Sequence, residues 1–253
     1  MEPSFVTGEP ALLLRNGKEK ILVVADLHLG IEYEYHQRGI KIPPQTVKAT
    51  EHIDRLLEST GANRLVAIGD VKHKVPGTSF QELRELPEFF RHFTGRFKVD
   101  VAPGNHDGGI EESMPYGVDV HPGSGFRLGE FYFAHGHAWP KDDFMGCKFV
   151  IVAHNHPRIE FRDRLGYRWS EPVWMRAMLD KGLLDKRYKG LKSPPELINM
   201  PSFNEFVGGM PLNRKGDSGE QAGFLGPLIK NIDISTAKVY MLDGVYLGEL
   251  EKL

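Results

Sequence analysis

Asp26-Leu27-His28, Gly69-Asp70, Gly104-Asn105-His106-Asp107, His135-Gly136-His137 and His154-Asn155-His156 are five short polar motifs, each at the end of an apolar run. Together they supply carboxylates, imidazoles and an amide oxygen. That mixture suits a catalytic metal centre better than a structural one, which is built mainly from Cys and His. A carboxylate offers lone pairs in two directions and can bridge two cations, whereas a neutral imidazole ligates one ion through one nitrogen. One bridging Asp with several terminal His is therefore a natural two-metal arrangement. Two ions about 3.5–4 Å apart can hold a hydroxide between them, aim it at phosphorus and stabilise charge on the phosphoryl oxygens. Each motif alone has a plainer reading: Gly-Asp and Asn-His-Asp are common turn and cap chemistry, and the two imidazoles that His154-Asn155-His156 places on one side of an extended segment could be a solvated pair. Their order along the chain and their common context favour the metal centre.

The elements that must position these residues can be read from the same runs. Ile21 to Ala25, Leu65 to Ile68 and Phe97 to Ala102 read as strands ending in the first three motifs. Between them, Pro43-Pro44 opens a helix in which Val47, Ile53, Leu56 and Leu57 share one face and which stops around Gly61. Ser79 to Glu82 is a capping-box candidate opening a second helix through about Phe93, which Pro87 is expected to kink or split. Strand, helix, strand, helix, strand implies parallel pairing with right-handed crossovers. Ligands of open parallel sheets sit beyond the carboxyl ends of the strands, where the motifs lie. After about Gly117 the rhythm changes to short strands: Phe131 to Ala134 runs into His135 and Phe149 to Ala153 into His154. Asp243-Gly244 between Lys238–Leu242 and Val245–Leu250 signals a hairpin. Pro172 to Leu179 reads as a short amphipathic helix within a basic helical insertion around 162–192, and Gly208 to Gly226 as a Gly-rich loop. The chain is read as one α/β domain, residues 1–253, built from two packed sheets.

Composition bounds the reading. With 253 residues, 40% hydrophobic and 26% charged, the chain can bury a sizeable core and is not disordered. A formal net charge of -2 lacks the global electrostatic footprint of a protein that coats nucleic acid. The single Cys147 excludes an intramolecular disulfide and fits a reducing compartment, and neither a signal peptide nor a membrane span is evident, so the expectation is a cytoplasmic protein.

Asp-x-His, Gly-Asp, Gly-Asn-His-Asp, His and His-x-His in this order resemble the signature of the calcineurin-like metallophosphoesterases from Ile21 to Pro157, with Ala153 in place of the last motif's Gly. Ala25-Asp26-Leu27-His28-Leu29-Gly30 and Gly69-Asp70-Val71-Lys72-His73 are similar to the SbcD/Mre11 nuclease branch. Closer still are the archaeal SbcD/Mre11-related (ICC-like) phosphoesterases, which share the Pro201-Ser202-Phe203-Asn204 type of segment. The resemblance implies a four-layer sandwich of two mixed β-sheets flanked by helices. It also implies that Asp26, His28, Asp70 and His156 hold one divalent ion, and Asp70, Asn105, His135 and His154 the other. Manganese is the ion the family suggests, with Fe, Zn or Ni as alternatives. His106 is then the imidazole that protonates the leaving oxygen, Asp107 orients it, and His73 stands near the leaving group. Set against this, a loop His between two lysines needs no function, and His137 stays ambiguous beside His135.

The substrate is less legible. Residues 158–192 carry ten Lys or Arg against five Asp or Glu, so this basic stretch could bind a phosphodiester backbone; it could equally be a solvated surface. Tyr167, Trp169 and Trp174 could stack bases or be core. The chain is too short for a C-terminal DNA-binding region of the nuclease type, which favours smaller phosphodiesters. Three readings follow: a phosphodiesterase acting on small diesters, cyclic nucleotides or nucleic-acid ends; an Mre11-like nuclease with partner proteins; and a catalytically silent scaffold, against which the full set of ligands argues.

Overall fold

Along β3 (Glu19–Ala25), Ile21, Val23 and Ala25 enter one apolar layer and Leu22 and Val24 another. Both faces of the strand are covered, which is why its sequence is continuously hydrophobic instead of alternating. The computed structural model describes residues 2–214 and 224–253. Among them, β1 (Ser4–Phe5), β2 (Ala11–Asn16), β3, β4 (Arg64–Ile68), β5 (Lys98–Ala102) and β6 (Val118–Val120) form a sheet in chain order, antiparallel up to β3 and parallel from β3 to β6. After the short α1 (Ile31–Gln37), α2 (Gln45–Thr60) and α3 (Phe80–Thr94) cover its outer face with Ile53, Leu56, Leu57, Leu86, Phe90 and Phe93. Helix α2 stops at Gly61, whose φ of 63° terminates it in the left-handed region. Val47, expected on the apolar face, is exposed instead. The Ser79 to Glu82 capping box forms, and α3 continues through Pro87 without dividing; the lost hydrogen bond falls at the exposed Leu83, where water can replace it.

The second sheet contains β7 (Phe126–Leu128), β8 (Phe131–Phe133), β9 (Phe149–Val152), β10 (Arg158–Arg162), β11 (Arg168–Met178), β12 (Glu196–Asn199), β13 (Lys238–Met241) and β14 (Tyr246–Glu249), ordered 14-13-11-12-9-8-7 with β10 paired to β11. Strands β8, β9 and β12 run parallel and the remaining pairs antiparallel. The expected hairpin around Asp243-Gly244 is β13–β14. Between the sheets lies a layer of Phe131, Phe133, Ile151, Trp174, Ile198 and their neighbours from the first sheet. The outer face of the second sheet is covered by α4 (Lys181–Leu184), Tyr188 and the chain around Leu228 to Ile232. The architecture is thus α/β, two mixed sheets packed face to face.

Two expectations need correction. Pro172 to Leu179 is not a helix but the second half of β11 and the residue after it, and the basic segment around 162–192 is a β10–β11 hairpin followed by the single turn of α4. Strand β11 lies between β12 and β13, so Val173 and Met175 are buried on one side and Trp174 on the other. A run apolar on both faces has no period to separate it from a buried helix. Of the Gly208 to Gly226 loop expectation, residues 215–223 lie outside the described residues. No helix among the described residues is long and apolar enough to cross a membrane.

Within the first sheet, Arg64 at the start of β4 holds the buried Asp100 of β5 in a bidentate pair at 2.7 and 2.9 Å, and His121 Nε2, just after β6, adds a third contact at 2.8 Å. Burial pushes the Asp100 carboxyl up, but His121 and Arg64 outweigh it and hold its pKa below the usual carboxylate value. The stabilisation is therefore present above the unfolded carboxylate pKa and is lost as pH falls through the lower folded value. Asp100→Asn is expected to cost about 2–3 kcal/mol at pH 7 in urea unfolding, and to flatten the loss of stability below about pH 4 relative to the unsubstituted chain.

Candidate metal centre

Backbone strain marks the place where the two sheets share their chemistry. Among the described residues, the non-glycine positions with positive φ are Asp26 (54°), His28 (42°), Asp70 (38°), His154 (69°) and His156 (40°), all within the motifs. Each follows a parallel strand, and the positive φ turns the chain sharply. The parallel ladder continues past the strands to hold these turns: Asp26 N–H donates to Ile68 O, His28 N–H to Asp70 O and Leu29 N–H to Val71 O, at 2.8–3.1 Å.

Two motif glycines allow the close approaches. A Cβ at Gly69 would lie 2.0 Å from the His135 ring, and one at Gly104 would lie 2.1 Å from Asp70 Oδ1 and 2.3 Å from the Asp70 nitrogen. The Gly104 turn also carries His106, whose backbone N–H donates to Asp70 Oδ1 at 2.9 Å.

Two sets of donor atoms result. Asp26, His28 and His156 each bring one ligand atom within 4.8 Å of the others, and Asp70, His135 and His154 do the same. The sets interlock through their carboxylates. Asp26 Oδ2 is 3.3 Å from His156 Nε2, while its Oδ1 is 3.1 Å from His135 Nε2. Asp70 Oδ2 lies 3.8 Å from His28 Nε2 and 3.5 Å from His135 Nε2. Residues from both sheets therefore share one cluster. Asn105 is on the Gly104 turn with an exposed side chain. A further grouping of His28, His73 and His106 contains no carboxylate to balance a divalent charge.

The donors fit divalent cations on two observations. His28 Nε2 and His156 Nε2 are buried without a hydrogen-bond partner. Orphaned buried nitrogens are costly unless something takes their lone pairs. His156 Nδ1 donates to Gly208 O at 2.8 Å, which leaves Nε2 as the nitrogen that faces the carboxylates. The charges also match: burial opposes the Asp26 carboxylate, but His156 and His135 hold its pKa well below the ordinary carboxylate value. Burial, with positive neighbours adding, depresses His28 and takes His154 down to about 4, so both present neutral imidazoles. His156 differs: against an opposing burial effect, Asp26 and the Gly208 carbonyl lift it to about 9, so without an ion its ring keeps a proton facing Asp26, which a divalent cation would replace.

The surrounding residues partly depart from expectation. Asp107 does not orient His106. Its carboxylate accepts from the backbone N–H groups of Val71, Lys72 and Gly104 at 3.1, 3.0 and 2.7 Å, and so ties the Asp70 and Gly104 turns together. The His106 ring is instead held by Nδ1 donating to His73 O at 2.6 Å. His73 is not a free loop residue: its Nε2 donates to Glu34 at 2.6 Å and its Nδ1 is 3.2 Å from His28 Nδ1. The neighbouring Lys72 is buried, with its ammonium donating to Lys74 O and Gly77 O. His137 Nδ1 is 3.1 Å from His135 Nδ1, behind that ring and away from Asp26.

The sequence reading gives no site role to Glu34, to Glu82 beyond its capping box, or to Ser202 and Asn204 beyond the family-like segment that contains them. Glu82 accepts from the backbone N–H groups of His73 and Lys74. Ser202 Oγ donates to Asp26 O, and Asn204 Nδ2 to Leu27 O, so the loop after β12 braces the first motif. For the last two, the Pro201-Ser202-Phe203-Asn204 segment is the signal the sequence carries.

A family model described as "Calcineurin-like phosphoesterase" matches residues 19–185. Among solved structures, the chain is similar to the nuclease MPE of Pseudomonas putida, with 20% identity and a TM-score of 0.56 over 97% of this chain and 100% of that one. It is also similar to Yfce, a phosphoesterase from E. coli, with 16% identity and a TM-score of 0.35 over 56% of this chain and 73% of that one. At 20% identity, the first likeness is one of fold. No curated protein matches the chain.

Gly104→Ala tests the packing of the cluster. Its Cβ must displace the Asp70 turn, so the variant is expected to lose about 1–3 kcal/mol of stability in denaturant unfolding. By elemental analysis after manganese loading, it should retain far less metal than the unsubstituted protein.

Proposed function

The chain belongs to the calcineurin-like phosphoesterase family, and from that premise we propose that it is a two-metal phosphodiesterase of the SbcD/Mre11-related branch, acting with manganese. The observation that carries the reading is the position of Asp70, whose Oδ2 faces His28 of one donor set and His135 of the other. Asp26, His28 and His156 would hold one ion, His135 and His154 the other, with Asp70 between them and Asn105 completing the second. Bound there, the ions would act as Lewis acids on the phosphoryl oxygens and acidify a water.

The chain's own residues do the rest. His106 lies beside this set, its Nε2 3.8 Å from Asp70 Oδ2. With Nδ1 engaged by His73 O, Nε2 is the atom that delivers a proton to the leaving oxygen. Asp107 keeps His106 in place indirectly, by clamping the two turns on which it and Asp70 stand. Preference for diesters is supported by a cavity of about 360 Å³ beside His156, with Leu27, Phe203 and Val207 among its apolar residues and Lys48 and Arg158 among its basic ones. A diester carries a second organic arm that such a space can take.

Purified protein loaded with manganese should cleave bis-p-nitrophenyl phosphate faster than p-nitrophenyl phosphate and lose activity with a chelator; inactivity on both esters would sink the reading. His106→Ala should lower kcat about 10²–10⁴-fold while keeping both metals. Loss of the metals instead would assign the imidazole to ligation.

One observation favours nucleic-acid ends among the possible diesters. Phe161, Trp169 and Tyr167 form a ladder of near-parallel rings on the β10–β11 hairpin, with centroids 5.5 and 6.1 Å apart, and Trp169 and Tyr167 are 40% and 68% exposed. Arg162, Arg164 and Arg168 flank them in sequence, whereas Trp174 is buried between the sheets, stacked on Phe5. Exposed rings among cations suit base stacking. The double variant Tyr167→Ala, Trp169→Ala should weaken single-stranded DNA binding by about 1–3 kcal/mol per lost stack and leave bis-p-nitrophenyl phosphate hydrolysis unchanged. Equal turnover of 2′,3′-cyclic nucleotides and indifference of DNA binding would return the preference to small diesters.

A further inference from the structure

Every inward imidazole in the centre needs its outward nitrogen held, because the partner of that nitrogen decides which tautomer the ring adopts. For His156 the holder is the Gly208 carbonyl and for His106 the His73 carbonyl. His28 faces no carbonyl on that side. Its Nδ1 meets another imidazole, His73 Nδ1, at 3.2 Å, and the far nitrogen of that ring meets Glu34 Oε2 at 2.6 Å.

We infer that Glu34 is a positioning residue that acts through His73 to fix His28 in the tautomer whose Nε2 lone pair is available to a divalent ion. The inference rests on the two-metal reading above. A carboxylate only accepts, so His73 Nε2 must carry the hydrogen. A ring whose single hydrogen is on Nε2 has its lone pair at Nδ1. Two facing lone pairs would repel, so the hydrogen between the rings sits on His28 Nδ1. That leaves His28 Nε2 bare, which agrees with its lack of a protein partner and its 3.8 Å separation from Asp70 Oδ2, too long for a donated hydrogen bond.

Both ends of the relay are anchored. Arg38, four residues on at the carboxyl-end cap of α1, pairs with Glu34 Oε1 at 2.5 Å, leaving Oε2 for His73. The His73 backbone N–H donates to Leu29 O and to Glu82 Oε1, each at 3.0 Å, so the ring cannot drift from His28. A partly exposed carboxylate on a surface helix thereby sets the donor atom of a buried ligand in another motif. His137 stands behind His135 in the corresponding place, Nδ1 to Nδ1 at 3.1 Å.

The experiment combines ¹⁵N NMR of the histidine rings in the metal-free protein with cobalt(II) titration followed by absorbance, for Glu34→Gln, Glu34→Ala and Glu34→Lys. Glu34 is at the surface of α1, so folding is expected to survive each change. The unsubstituted protein should show His73 protonated at Nε2 and His28 at Nδ1. Glu34→Gln keeps an accepting oxygen and should retain both tautomers and cobalt affinity within about threefold, whereas Glu34→Ala should mix the tautomers and weaken one of two cobalt ions about 10–100-fold. Glu34→Lys offers only a donor and should reverse the His73 tautomer. Unchanged tautomers and cobalt affinity in Glu34→Ala and Glu34→Lys overturn the relay. Failure of the unsubstituted protein to bind cobalt would instead overturn the two-metal reading, with the ring tautomers still deciding the relay.

Discussion

The left-handed backbone at Asp26, His28, Asp70, His154 and His156 is the constraint on which the rest of the structure depends. A branched or polar residue held at positive φ costs about 1–3 kcal/mol, and such residues persist only where their surroundings over-determine them. Here the over-determination is visible. The strands before them are buried on both faces, their hydrogen-bond ladder runs on into the turns, and Gly69 and Gly104 leave no room for the turns to relax. The strain turns side chains that would otherwise alternate between faces toward a single point.

Buried carboxylates do two different jobs around that point. Asp26 and Asp70 face imidazoles and set the charge of the cluster. Asp107 and Glu82 face backbone N–H groups and work as braces, one joining the Asp70 and Gly104 turns and the other fixing the loop that carries His73. Burial raises the Asp107 pKa, with its three backbone donors opposing the rise. A protein that buries several acids and imidazoles together must hold each polar atom that is not kept for an ion, which explains the density of single-purpose contacts here.

Much of the fold was legible because its signals are local. Strands β3, β4, β5, β8 and β9 were readable from their apolar runs, α2 from Pro44 and Gly61 at its ends, and α3 from its capping box. Strand β11 was misread because a strand buried on both faces has the same composition as a buried helix. Pro87 looked like a break, yet packing of Leu86, Phe89, Phe90 and Phe93 on the sheet outweighs one missing hydrogen bond.

The sequence by itself determined which chemical groups are available and in what order strands deliver them, because a motif directly after a parallel strand has one place to go. Only the tertiary structure decided how those groups face one another. Asp107 has the right type and spacing to hold His106, but its oxygens are taken by N–H groups brought in from the Asp70 turn. Glu34 and Asn204 lie far in sequence from what they hold, His73 and the Leu27 carbonyl, and hydrogen bonds between distant segments leave no periodic trace. Local chemistry is written in residue types; orientation depends on which other segment arrives alongside, and packing alone settles that.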